Sequence, residues 1–448
     1  MIKNPGLLKT ILRVSRSLLL LFPAVTAAQS ISLAEALQKA LTQNTAIQAL
    51  QNQEQASHYQ VREAQSGHLP KVSVSGSYTY YEKPNIIFPI HQQGVFPPLD
   101  DRIFETSAQL VLPLFSGGKV MASVQAAKAG RKNALARRQA QETDVLRHVA
   151  EIFLNGAELR DRQQLIRARL DVLYQRLAEM DALSREGRVS AADRALILSA
   201  IATALSDSMN LNAAWQETGW RLGQLLGMQQ MVFPELTGLD AETMSSSNLP
   251  QTMPDDGLSS NSLVLQAQSR VQQAEALQKL NTRTFLPDLS GFAVYNYRSG
   301  GTDWDPDGEW AAGIRLSLPV FDGGKRLAGW QASKSSLRAA EQSLQATIQN
   351  EYTSLQIARE RWHSALHQRE SLTEAVRQKN EYVKAQQAVY QAGRLPLSEL
   401  MNQETELLQL TLQEKSQLYA ARRNALTYYA AAGQLTEETI FNLLGRTN

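Results

Sequence analysis

The chain has 448 residues, with 45 lysines and arginines against 43 aspartates and glutamates, 6 histidines and no cysteine. Its formal charge of +2 falls to −2 once the four basic residues among the first 28 are set aside, so charge lends no support to nucleic-acid binding. Without cysteine there is no disulfide, no thiolate nucleophile, no sulfur ligand for a metal, and no lipid anchor is expected behind a leader.

Residues 1–28 carry Lys3, Lys9, Arg13 and Arg16, no acid, a short apolar core from Leu18 to Val25, and the small residues Thr26, Ala27 and Ala28. This is the pattern of a secretory signal peptide. Its core is too short to cross a bilayer, and no later stretch approaches the roughly 18–20 apolar residues of a membrane helix.

A first repeat is expected over 29–228. It opens with a helix from Ser32 to Gly67, started by the capping box Ser32-x-x-Glu35. After Leu69-Pro70 the even positions Val72, Val74, Gly76, Tyr78 and Tyr80 are apolar or aromatic, while Ser73, Ser75, Ser77 and Thr79 are hydroxylic. Alternation returns in Phe104, Thr106, Ala108, Leu110 and Leu112 against Glu105, Ser107 and Gln109, which predicts a β-hairpin over about 71–112. The segment from Tyr81 to Arg102, with Pro84, Pro89, Pro97 and Pro98, is expected as an exposed extracellular loop in which proline stops the strands.

The phrase Leu112-Pro113-Leu114-Phe115-Ser116-Gly117-Gly118-Lys119 follows. Pro113 is expected to end the ladder, and the glycine pair to swing the chain into a helix. From about 116 to 186 the chain has no proline, and roughly 70 residues of helix would run about 105 Å, wider than any ordinary single core. A turn at Gly187, Arg188, Val189 and Ser190, followed by Asp193, leads into a helix over about 190–228, and 229–260 is left as a linker or equatorial segment.

A second repeat over 261–433 takes the same order. Asn261 stands 26 positions before Pro287, as Asn44 stands before Pro70. The hairpin over about 288–318 sets Leu289, Gly291, Ala293, Tyr295 and Tyr297 opposite Trp310, Ala312, Ile314, Leu316 and Leu318, with Phe292 and Val294 interrupting the polar face. The phrase then recurs, 206 positions on, as Leu318-Pro319-Val320-Phe321-Asp322-Gly323-Gly324-Lys325. A helix over about 322–392, a turn at Gly393-Arg394-Leu395-Pro396, a helix over about 397–433 and a tail over 434–448 complete the chain. In the last helix Leu397, Leu400, Leu407, Leu418, Ala421, Ala425 and Tyr428 form a coiled-coil stripe, interrupted by Glu404, Thr411 and Glu414. A period near 200 residues means two fused copies of a domain-sized module, and one elongated body rather than several globules.

Chemistry is sparse. Asp303 to Gly308 imitates the start of a calcium loop, but its twelfth position would be Ile314 in a strand, so a polar turn is expected. His363 and His367 lie four apart, with Ser364 where a zincin has glutamate. No metal, no cofactor and no enzyme activity are expected. The four strands, each about ten residues with aromatics toward the hairpin ends, suit a membrane barrel. Four strands cannot close one, and open edges are forbidden in lipid, so other copies must supply the closure. Two copies give eight strands and three give twelve; the residues alone leave this open, although a barrel of eight is filled by its own side chains.

Over its whole length beyond the leader the chain resembles the TolC-type outer-membrane efflux proteins. The resemblance rests on Ser32-Leu33-x-Glu35-Ala36-Leu37-x-x-Ala40-Leu41-x-x-Asn44, on both Leu-Pro-x-Phe-x-Gly-Gly-Lys phrases, and on the paired turns at Gly187 and Gly393. It implies a mainly α chain with a membrane β-barrel: a homotrimer whose twelve-stranded barrel, four strands per chain, continues into a long α-helical periplasmic tunnel. It further implies a passive exit duct serving a periplasmic adaptor of the membrane fusion type and an inner-membrane transporter. Pro70, Pro113, Gly117, Gly118, Pro287, Pro319, Gly323 and Gly324 then mark the barrel–tunnel junction. Gly187, Arg188, Val189, Ser190, Gly393, Leu395 and Pro396 become adaptor-contact tips, and Glu399, Asn402, Arg394 and Asp193 a periplasmic gate. Asn402 departs from the family's frequent second acid there. A type I protein secretion outlet and a periplasmic coiled-coil rod are the alternatives.

Overall fold

The computed structural model describes residues 31–87, 99–185, 190–228, 236–237, 258–300 and 307–444. The leader therefore lies outside the described residues, as do Gly187, Arg188, Val189 and the segment 301–306. The chain divides into two compact units, one drawn from Met1–Thr45, Thr143–Asp256 and Leu355–Asn448, the other from Ala46–Glu142 and Gly257–Ser354.

Three pairs of helices have matching lengths in the two repeats. Helices α2 (Thr45–Ser66) and α5 (Ser262–Arg283) have 22 residues each. Helices α3 (Lys119–Arg185) and α6 (Lys325–Gln391) have 67 each, and α4 (Ala191–Leu225) and α7 (Leu397–Ala431) have 35 each. Both 67-residue helices begin on the lysine that closes the repeated phrase.

The second unit holds a four-stranded antiparallel sheet in the order β2-β3-β5-β6. Its strands are β2 (Lys71–Ile86), β3 (Leu99–Phe115), β5 (Asp288–Gly300) and β6 (Asp307–Ser317), longer than expected from the alternation in all but the last. The register aligns the four alternating patterns. Val74 faces Ala108, Ala108 faces Tyr295 and Tyr295 faces Trp310, so one face is apolar apart from Thr106. On the other face Ser75 and Ser107 share a hydrogen bond of 2.8 Å and Arg298 pairs with Glu105 at 2.9 Å. Phe292, which breaks that polar face, lies under the Arg315 guanidinium at 4.9 Å, a cation–π contact that accommodates the ring. Val74, Trp310 and Ile314 are bare in the single chain, and among the described residues neither β2 nor β6 has a partner on its outer edge.

Two prolines behave differently from expectation. Pro113 does not end the ladder: it sits inside β3 opposite Ser290, next to an irregularity before Phe115. Pro84 does not stop β2, because the pairing slips between Tyr80 and Asn85 and resumes at Asn85 with Asp100. Proline lacks only the N–H, and a bulge absorbs that loss.

In the first unit the expected helix from Ser32 is interrupted. Ser32 and Glu35 do form the capping box, but α1 (Leu33–Gln43) stops at Asn44, whose backbone is extended and whose Nδ2 donates to Leu225 O at 2.9 Å. Asn261, its counterpart, likewise stands directly before a 22-residue helix and caps α5, accepting from the backbone N–H of Leu263 and Val264 at 2.9 and 3.0 Å. Within the segment left as a linker, β4 (Leu236–Thr237) pairs in parallel with β1 (Ile31–Ser32). The tail forms α8 (Glu437–Leu444), which buries Ile440, Leu443 and Leu444. The fully buried Arg422 donates to Leu444 O at the end of α8. Phe153, Trp362, Tyr419 and Tyr428 are among the largest buried side chains of this unit.

If the apolar face meets lipid, Ala312→Arg, in the middle of β6, places a charge in hydrocarbon at about 2–4 kcal/mol and Leu316→Arg, one residue from its end, at a smaller cost, and both reduce the amount of protein recovered in the outer membrane. Ser75→Arg, on the hydroxylic face, is tolerated better. Equal recovery of all three variants would contradict the assignment of faces.

Candidate functional site

The hairpin between α6 and α7 is built for a tight reversal. Gly393 has φ +71 with open space around it, so glycine is needed there for conformation rather than for room. Its N–H donates to Tyr390 O at 2.9 Å and that of Arg394 to Val389 O at 3.1 Å, the paired bonds of a Schellman motif. Pro396 precedes the first turn of α7, where Glu399 complements the helix dipole. On α4 the same position is taken by Asp193, behind Ser190, whose Oγ accepts from the N–H of Ala192 at 3.1 Å.

These residues do not gather into one cluster. Arg394, Glu399 and Asn402 are exposed, Asp193 and Leu395 half-buried. Among the described residues no ion pair joins Arg394 to Glu399 or to Asp193. Glu399 instead accepts from Gln403 Nε2 at 2.7 Å. Gln403 Oε1 accepts from Lys379 Nζ on α6 at 2.6 Å, and Lys379 also pairs with Glu406. This chain of polar groups ties α6 to α7. Arg194 does the same for α3 and α4, reaching Asp181 at 2.8 Å.

A stronger tie lies one turn further along. Glu404, 9% exposed, receives Arg169 Nη1 and Arg176 Nη1 on Oε2 at 2.9 and 2.8 Å, and Arg176 Nη2 on Oε1 at 2.8 Å. Gln387 of α6 adds a longer bond at 3.4 Å. Three helices thus meet on one carboxylate, beside a cluster of Leu170, Leu173, Met180, Ile197, Leu397 and Met401. Burial pushes the Glu404 carboxyl up, but the hydrogen bonds and charge of Arg176, then of Arg169, outweigh it and hold the group below its ordinary value. Arg176 is in turn held above its ordinary value, first by its hydrogen bonds to Glu404. The sequence signal was the interruption of the apolar stripe by Glu404. The stripe itself is borne by Leu397, Leu400, Leu418, Ala421, Ala425 and Tyr428, all buried, with Leu407 half-buried.

The two repeated phrases form the corners between sheet and helix in the second unit. Gly117 and Gly118 have φ +60 and +75, Gly323 and Gly324 +67 and +84. At the first corner a Cβ on Gly117 would stand 2.5 Å from Leu286 Cβ, just before Pro287, so the chains approach as closely as glycine permits. Lys119 closes this corner on Asp288 at 2.5 Å. Pro70 lies immediately before β2, and Pro319 two residues past the end of β6. Among the described residues no group of His, Asp or Glu side chains is placed to hold a metal ion.

Two segments, 36–228 and 253–434, match the family model described as outer membrane efflux protein. Solved structures share the fold across nearly the whole chain at low identity. A membrane protein from Pseudomonas aeruginosa aligns over 90% of this chain and 92% of its own with a TM-score of 0.78 and 17% identity. The outer membrane protein VceC from Vibrio cholerae aligns over 90% and 96%, with TM-score 0.75 and 17% identity. The Campylobacter jejuni CmeC outer membrane channel aligns over 92% and 89%, with TM-score 0.75 and 15% identity. No curated protein matches in sequence.

Glu404→Ala leaves two partly buried guanidinium groups facing one another and is expected to cost up to about 3–5 kcal/mol of stability. The pH dependence has a definite sign. The folded pKa lies below 4.5, so the contribution of Glu404 is complete above that value and is lost as pH falls through the lower folded one. Helix melting followed by circular dichroism from pH 7 to 3 should show an acid loss of stability that is smaller in Glu404→Gln; identical profiles would contradict the clamp.

Proposed function

The chain belongs to the outer membrane efflux protein family, and from that premise we propose that three copies assemble into a passive exit duct between periplasm and exterior. The observation that carries this reading is the sheet: apolar on one face, polar on the other, and unpaired on both edges among the described residues. In hydrocarbon every backbone N–H and C=O needs a protein partner, so β2 and β6 must pair with other copies. Three copies give twelve strands, enough to leave an aqueous lumen lined by the hydroxylic face, whereas eight would be filled by side chains. A rod standing in the periplasm gives no use to an exposed apolar sheet face.

The protein is an efflux channel of the outer membrane with its helices on the periplasmic side. The duct consumes no energy of its own; a transporter in the inner membrane supplies cargo through a periplasmic adaptor of the membrane fusion type. The α6–α7 and α3–α4 hairpins form the periplasmic mouth, where Gly187, Arg188, Val189, Ser190, Gly393, Leu395 and Pro396 meet the adaptor. Glu399, exposed on the first turn of α7, converges with its copies near the axis, with Arg394, Asn402 and Asp193 around it. The buried Glu404 clamp holds the helices of each copy in the arrangement that carries this ring. Three carboxylates near an axis repel one another and attract cations.

In detergent the protein is expected to have the mass of a trimer, measured by light scattering; a stable monomer would contradict the reading. Glu399→Gln should weaken cation preference and block by a trivalent cation in planar-bilayer conductance. Unchanged selectivity and block would place Glu399 off the axis and leave adaptor contact as its role.

A further inference from the structure

The two sheet–helix corners are equivalent in sequence and unequal in surroundings. Gly117 is buried against Leu286, and Gly118 lies beside Arg283; a Cβ built on Gly323 or Gly324 meets nothing within 4 Å. Val320 and Phe321 beside the second corner are 88% and 87% exposed. The strand β3 reaches Phe115, whereas β6 stops at Ser317, short of the equivalent Phe321. The first corner is closed by the start of the second repeat's hairpin, Arg283 to Asp288. The second corner lacks the corresponding start of the first repeat's hairpin, Ser66 to Lys71.

That segment has to come from another copy. Applying the β3–β5 register to β6 and the β2 of a neighbour, by the offsets of Pro113 to Pro319 and Pro70 to Pro287, sets Leu316 opposite Gly76 and Ile314 opposite Tyr78. Arg315 then lies opposite Ser77 and Gly313 opposite Thr79. The apolar face continues into the apolar face and the polar into the polar, which a register wrong by one residue would destroy. The same transfer brings Leu69 of the neighbour over Gly323.

One equivalence fails to carry over. The ion pair of the first corner joins Lys119, the first residue of α3, to Asp288, the first residue of β5. The corresponding positions are Lys325, the first residue of α6, and Lys71, the first residue of β2. Both are exposed, and among the described residues neither has an ion pair. One carboxylate lies on these segments, Asp322, and a second, Glu63, lies on α2 just before them. Asp322 is taken by Arg326 at 2.7 Å, and Glu63 lines a groove of its own chain that includes Lys119. Two ammonium groups where the fold elsewhere places opposite charges call for a shared anion.

We infer that each junction between copies, at the base of the barrel, binds a phosphate oxyanion between Lys325 of one copy and Lys71 of the next. This rests on the proposed closure by other copies. A phosphate accepts from both ammonium groups at once and supplies the charge that Asp288 supplies within the chain. The source is either free phosphate, since Lys71 stands on the polar face of β2, or a phospholipid headgroup that the long lysine stems reach past the end of the strand.

The test is a charge-reversal cycle on the full-length protein in delipidating detergent, reading the temperature at which oligomers resistant to sodium dodecyl sulfate dissociate. Lys71→Asp and Lys325→Asp each recreate the Lys119–Asp288 arrangement, so each single variant should dissociate at a higher temperature than the parent protein. The double variant, with two carboxylates, should dissociate at a lower temperature than either. Phosphatidylglycerol or inorganic phosphate, at ionic strength matched with chloride, should raise the temperature for the parent protein and not for the single variants. Response to phosphatidylglycerol alone identifies a headgroup; response to both identifies the free anion. Additive reversals, or a parent protein insensitive to both anions, would overturn the inference while leaving the oligomer intact. A monomeric parent protein would instead overturn the closure on which it rests.

Discussion

An unpaired backbone N–H or C=O costs several kcal/mol in hydrocarbon, and β2 and β6 each present a row of such groups along an outer edge. The hairpins have an alternation that suits a wall between lipid and water, yet one chain supplies too few strands to curl into a closed surface. The helices inherit the consequence. Each sheet corner launches a helix of 67 residues, so whatever closes the sheet also sets the spacing of the helices that leave it.

Duplication solves half of that problem and the departures from it show where the two halves meet different neighbours. Asn44 and Asn261 both stand directly before a 22-residue helix, but the amide of Asn44 reaches the carbonyl of Leu225 while that of Asn261 reaches the carboxylate of Glu351. Gly117 is packed and Gly323 is bare. Asp288 answers a lysine, whereas its counterpart is Lys71. In each case the backbone path is retained and the side-chain environment is not. The polar ties between hairpin helices follow the same economy: a single buried carboxylate, Glu404, collects two arginines from α3 and a glutamine from α6.

Much of this was legible in the residues because period-two alternation fixes a face, and the repeated phrase fixes where strand gives way to helix. Val72 to Tyr80 and Trp310 to Leu316 fell on one face as their pattern required. The failures have local causes. Nothing in Asn44 distinguishes a helix break from a solvent-facing residue until Leu225 O is seen to accept its amide. Pro84 and Pro113 predict stops because a missing donor weakens a ladder, but shifts of register beside both remove the need for it. The clamp on Glu404 was visible only as an interruption of an apolar stripe, since its partners lie 228 and 235 positions away in the chain. The pairing of β1 with β4 and the packing of α8 left no periodic signal, being two residues and eight residues long.

Closure by other copies is most directly tested by joining the two free edges covalently. The chain has no cysteine, so Thr79→Cys combined with Gly313→Cys introduces the only thiols. Within one chain β2 and β6 are separated by two strands, about 14 Å at the usual spacing, too far for an intrachain disulfide. After oxidation of the membrane-embedded protein, closure by three copies predicts a reductant-sensitive covalent trimer on a non-reducing gel. A chain that remains entirely at monomer mass would contradict it.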